Sequence, residues 1–268
     1  VPILFTWDQE KIINVLKQVN GVVFPGGSVD RVSSHYFLKY IDSYLTIYNF
    51  AKRQDYFPLW ATCLGFEFLL LMVLNKTKLI HDTYINEQHI QKVKARHQAV
   101  KLDLKSPTDF IDKYNNVLDK KLIVKYKNKN VIYMNHGLGF IYNKQLLDWI
   151  LPYIDVLSTN YDKENTEYIS TIKFKKYPFY GVQWHPEKTI FEWLDKSIPH
   201  TDASIDVSHR MSNMFINECK KNKNKLNDEN LLIYFSNLYS RLDVLNIIDP
   251  IHNTTKNKSL FEQSYYFK

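Results

Sequence analysis

Cysteine is scarce in this 268-residue sequence. The two present, Cys63 and Cys219, are too few for a disulfide framework, and neither lies in the C-x-x-C or Cys/His spacing that holds zinc. Long apolar runs are missing as well: none approaches the roughly 20 residues that cross a bilayer as a helix. There is no internal repeat, and no linker divides the chain. Acidic residues are the minority, 28 Asp and Glu against 35 Lys and Arg, a formal charge of +7. Such an excess suits an acidic substrate, a nucleic acid or a membrane surface. Much of it, however, falls in Lys/Asn runs at residues 127–130 and 220–230, which read as solvated loops or helix ends. No nucleic-acid recognition motif accompanies it. The sequence begins at Val1 rather than Met, so a targeting segment cannot be read from it.

What is present is enough apolar material for a sizeable core. Hydrophobic residues make up 45% and aromatics 15%, so one compact domain that needs no metal for stability is the expectation. Residues 1–6 read as a strand, followed by a helix over 8–19 with Ile12, Ile13, Leu16 and Val19 on one face. The pattern repeats with a strand at 21–24, a helix carrying Leu38, Ile41, Leu45 and Tyr48, a strand at 59–62 and an apolar helix at 64–74. Strands interleaved with helices predict an α/β fold, a mostly parallel sheet covered on both faces. Later strand-like runs at 122–124, 131–134, 155–159, 168–172 and 180–184 are less regular and predict a mixed second half. A last helix over 204–220 places Met211, Met214, Phe215 and Cys219 on one side, which makes Cys219 a core residue rather than a reactive one.

In open α/β sheets reactive groups gather where strands end, and three such loops carry chemistry. Cys63 lies between an apolar strand and an apolar helix, with Ala61 and Gly65 at the flanking positions where bulk would clash. A thiol at a helix start is favoured as thiolate by the unpaired N–H groups there. Taken alone, the residue fits a small buried core cysteine equally well. His185 follows the strand at 180–184 and precedes Pro186, and Glu187 can reach its far ring nitrogen. His-x-Glu could also be a pair of metal ligands, but no third ligand stands at a recognisable spacing. Oxyanion donors are available from the Leu64 amide and from the Gly26-Gly27 backbone.

Three segments then carry a resemblance: Phe24-Pro25-Gly26-Gly27-Ser28-Val29-Asp30, Thr62-Cys63-Leu64-Gly65-Phe66-Glu67, and Tyr180-Gly181-Val182-Gln183-Trp184-His185-Pro186-Glu187-Lys188. Together they resemble the gamma-glutamyl hydrolase family, within the glutamine amidotransferase superfamily. The extensions Ser28-Val29-Asp30, Phe66-Glu67 and Lys188 favour the hydrolase branch, as do Asn135-His136 after a strand and the aromatic ending at 261–267.

The resemblance implies a flavodoxin-like three-layer sandwich of the class I amidotransferase type. It implies hydrolysis of folate and antifolate poly-γ-glutamates by Cys63, His185 and Glu187 through a thioester. It also implies contributions at the substrate from His136, Glu67 and Ser28, no cofactor, and a lysosomal, vacuolar or secreted location. Three glycosylation acceptor patterns, at Asn75, Asn253 and Asn257, fit that location weakly. The family pattern usually has glycine where Ala61 stands, and a further strand and helix before Val1. The chain is therefore expected to be a single domain over 1–268, truncated at its N-terminus and less stable than an extended version. The expected partner is a small folylpolyglutamate, with no nucleic acid or membrane and a homodimer left open. A glutaminase feeding ammonia to a synthetase, or an inactive binding protein on the same fold, would share these motifs.

Overall fold

A computed structural model of the chain describes residues 1–27, 35–74, 90–114, 117–233 and four short strands at 237–239, 248–249, 254–255 and 264–266. Ser28 and the acceptor asparagines Asn75, Asn253 and Asn257 lie outside the described residues.

The first helix, α1 (Gln9–Leu16), starts where the Asp8 carboxylate accepts the Lys11 N–H at 2.7 Å and buries Ile12, Val15 and Leu16. Strand β1 (Val22–Phe24) leads to α2 (His35–Arg53), and β2 (Leu59–Thr62) to α3 (Leu64–Val73), whose first nine residues are all buried. After β3 (Ile90–Val100) come α4 (Pro107–Lys113), α5 (Lys120–Tyr126), β4 (Ile132–Phe140) and α6 (Lys144–Ile150). Strands β5 (Ile154–Tyr161), β6 (Glu167–Phe174) and β7 (Phe179–Val182) precede α7 (Lys188–Phe191) and α8 (Asp202–Cys219).

The central sheet has the order β1-β2-β7-β6-β5. Strands β1, β2 and β7 pair in parallel, and β6 runs antiparallel to both β7 and β5. Successive residues of β2 enter opposite cores. Leu59 and Ala61 join one with Phe24, Tyr44 and Phe66, while Trp60 joins another with Tyr114 and Met211. Helices therefore cover both faces, as the expected sandwich requires. Strands β3 and β4 form a separate antiparallel ribbon.

Several local expectations are corrected. Residues 1–6 form no strand, and 122–124 lie in helix α5 rather than in a strand, because the Asp119 carboxylate caps its first turn by accepting the Leu122 N–H at 2.9 Å. Asn135 and His136 do not follow a strand but sit within β4, where His136 faces Ala95 of β3. The family's glycine position is filled by a fully buried Ala61, paired with Gly181 across β2 and β7. Cys219 is half-buried with its sulfur against Gly21, and burial pushes its thiol up to about 11.

Candidate active site

The nucleophile candidate is held by backbone on both sides. The Cys63 N–H donates to the Val182 carbonyl of β7 at 2.9 Å, and the Cys63 carbonyl accepts the Glu67 N–H at 3.0 Å. Between these bonds the chain turns at φ 49°, a conformation that L side chains rarely adopt. The thiol thus stands on a strained strand-to-helix elbow. Gly65 makes the elbow possible: a Cβ there would lie 2.5 Å from the Phe24 carbonyl oxygen.

His185 is buried, and its N–H donates to the Tyr133 carbonyl of β4 at 2.9 Å. Its Nδ1 lies 2.6 Å from the Glu187 carboxylate, which leaves Nε2 for the Cys63 sulfur. Burial opposes a charged imidazole. The Glu187 carboxylate, with the hydrogen bonds to Cys63 and Glu187, outweighs it and pushes His185 up to about 10. The Glu187 side chain is 51% exposed, but its carboxyl stays below the usual range: desolvation where it meets His185 works upward, and the imidazolium works more strongly downward.

Gly26 closes this arrangement from β1. A Cβ on it would stand 2.8 Å from His185 Cε1 and 3.3 Å from Cys63 Cβ. Gly27 is looser, its nearest contact being Leu64 Cδ2 at 3.7 Å. No glycine among the described residues has a positive φ, so what Gly26 provides here is space rather than an unusual backbone conformation. In the first turn of α3 the Gly65 N–H donates to the Pro25 carbonyl at 3.2 Å, which also ties the Gly26 loop to the elbow. The Leu64 amide is the remaining oxyanion candidate at that helix start.

Two further predicted residues meet here. Glu67 is buried and accepts from Gln183 Nε2 at 3.3 Å, joining α3 to the segment that leads into His185. His136 is buried, and burial holds it down to about 4 although its bond to the Leu138 carbonyl works upward. The 2.7 Å contact with that carbonyl assigns its proton to Nδ1. Nε2 is left buried with no partner among the described residues. Cys63, Glu67, His136, His185, Gly26 and Gly27 all line one cleft of about 1460 Å³.

Sequence reasoning missed a brace beside this cleft. Asp195 accepts from the Tyr133 hydroxyl and meets His97 Nδ1 at 2.6 Å, fixing the loop after α7 to β3 at a residue with φ 54°. Nothing in the spacing of His97 and Asp195 signals this contact, which arises only when the β3–β4 ribbon packs.

Comparison with known proteins places the arrangement in context. The glutamine amidotransferase class-I family model matches residues 2–197. The chain is 31% identical over 274 residues to gamma-glutamyl hydrolase of Homo sapiens, covering 100% of this chain and 77% of that protein. The chain belongs to the gamma-glutamyl hydrolase family. Gamma-glutamyl hydrolase B of Dictyostelium discoideum is 31% identical over 241 residues, 87% of this chain and 65% of the relative. Gamma-glutamyl hydrolase 1 of Arabidopsis thaliana is 27% identical over 239 residues, 87% of this chain and 64% of the relative. The chain thus spans just under two thirds of these last two relatives. One cleft holds the cysteine elbow, a histidine held up by Glu187 and a histidine held down by burial.

Proposed function

We propose that the protein is a cysteine hydrolase that cleaves the γ-glutamyl bonds of folate and antifolate poly-γ-glutamates. The observation that carries this reading is His185, joined through Nδ1 to Glu187 at 2.6 Å and through its other nitrogen to Cys63. With His185 charged beside it and already holding the proton, the Cys63 sulfur attacks the γ-carbonyl carbon, forming a C–S bond. The negative charge that develops on the carbonyl oxygen falls to the Leu64 amide and the Gly26-Gly27 backbone. Collapse breaks the C–N bond, and His185 gives its proton to the departing amine. Water, deprotonated by His185, then cleaves the thioester. Glu187 holds the ring orientation throughout. Neutral His136, with its unpartnered Nε2, suits acceptance of a substrate N–H.

The test is incubation of the wild-type protein and Cys63→Ala with pteroylpentaglutamate and, separately, with glutamine, the products being separated by chromatography. Shortened pteroylglutamates from the wild type, with a loss on the order of 10⁴-fold or more in a folded Cys63→Ala, are expected. Wild-type rates in Cys63→Ala would overturn the assignment of the nucleophile. Turnover of glutamine alone would overturn the substrate.

A further inference from the structure

The strand missed in the sequence reading carries the feature that the proposed chemistry leaves unused. Along β3, Val93 and Ala95 are buried while Lys92, Lys94 and Arg96 are exposed, so three cations share one face at a spacing of two residues. All three line the cleft that holds Cys63 and His185. They are not equivalent. Lys94 pairs with Glu164, whereas Lys92 and Arg96 have no carboxylate partner among the described residues. Arg96 lies flat on β4, with its Nη2 3.2 Å from where a Gly137 Cβ would stand, so the absence of a side chain at 137 makes its seat. Of the four carboxylates lining the cleft, Glu187 is taken up by His185 and Glu164 by Lys94, Glu67 accepts from Gln183, and Glu192 stands at the end of α7.

The strand is fixed rather than loose. The Lys94 N–H donates to Asp162 Oδ2 at 2.7 Å, and Asp162 Oδ1 accepts the N–H groups of Glu164 and Thr166 in the turn between β5 and β6. Hydrogen bonds from three backbone amides hold the Asp162 carboxyl below its usual range in spite of burial.

We propose that Arg96 and Lys92 bind free α-carboxylates two units apart on the γ-linked glutamate tail, with Arg96 serving the unit nearer the reacting bond. This rests on the function proposed above. Four residues of strand put the two backbone positions no more than roughly 13 Å apart, the register shifting between Lys92 and Ala95. A γ-linked unit has five main-chain bonds rather than three, which scales the extended reach of about 3.5 Å per residue to about 6 Å. Two units therefore span about 12 Å, close to that separation. Arg96 is the inner one, resting on the residue after His136, while Lys92 pairs further along, with Leu138.

The experiment compares wild type, Arg96→Ala, Lys92→Ala and the charge control Lys121→Ala on helix α5, using pteroyl-di-, tri- and pentaglutamate. Arg96→Ala should raise KM about tenfold on every substrate, and Lys92→Ala about tenfold on the pentaglutamate and little on the diglutamate, with kcat kept. Both effects should shrink as salt rises, and Lys121→Ala should behave as wild type. If KM for the pentaglutamate stays within twofold of wild type in both variants, or rises equally in Lys121→Ala, the inference is wrong and the proposed function stands. If the wild type cleaves none of the three substrates, both fall together.

Discussion

At the scale of single residues the site is governed by clearance. Gly26 is the residue against which the Cys63–His185 pair is seated, and a methyl group there has 2.8 Å to His185 Cε1. Gly26→Ala should displace the imidazole and lower kcat by about 10²-fold while the protein still folds, since misplacement by about 1 Å costs that much. Gly27→Ala, with its nearest contact at 3.7 Å, should keep activity within a few fold. Steady-state kinetics and circular dichroism on both variants check this, and equal activities would show that the wedge is not tight. That Cys63, His185 and Glu187 come together could be read from sequence because all three stand in loops at the ends of strands, Cys63 with the small flanking residues of an elbow. The charge state of His136 could not be. It depends on burial and on the Leu138 carbonyl, both set by how the β3–β4 ribbon closes.

Among the elements, the reading succeeded where apolar residues cluster and failed where they are sparse. Leu59–Thr62 was placed to the residue because all four side chains are buried and Gly65 follows at the helix start. Strand β3 was missed because its buried positions, Ile90, Val93 and Ala95, are diluted by Lys, Gln and Arg. The alternation of cations at 92, 94 and 96 was the available signal. Residues 122–124 were misread because a three-residue apolar run fits a strand or a helix, and the Asp119 cap decided it. The junction that most constrains the elements is Gly65 against β1. Gly65→Ala would put a carbon 2.5 Å from the Phe24 oxygen and 2.7 Å from its Cβ, and backbone cannot yield as a flexible side chain does. A loss of about 1–3 kcal/mol in denaturant unfolding is expected, together with loss of activity as α3 shifts. Unchanged stability would show that β1 moves freely against α3.

For the molecule as a whole, the two histidines give stability a dependence on pH with opposite slopes. His136 is held down to about 4, below the ordinary 6.5, so its contribution is present above 6.5 and lost as pH falls toward 4. His185 is held up to about 10, so its contribution is complete below 6.5 and lost as pH rises toward 10. Lys173, lowered by burial to about 8, works against the alkaline loss, because the folded state sheds its proton first and gains between 8 and 10.5. The clean measurement is therefore a difference. The melting temperature of wild type minus that of His185→Asn should fall steadily from pH 6.5 to 9. A difference independent of pH would mean that His185 is not charged in the fold.

The φ of 49° at Cys63 has a consequence for how such a protein ages in evolution. That conformation costs a residue with a side chain on the order of 1–3 kcal/mol, and glycine would adopt it freely. Cys63 is thus among the described residues least suited to their own backbone. A copy of the gene released from the need to react, and kept only for persistence, would gain by drifting to glycine at position 63. Cysteine at position 63 is therefore expected to persist only where its reaction outweighs that cost.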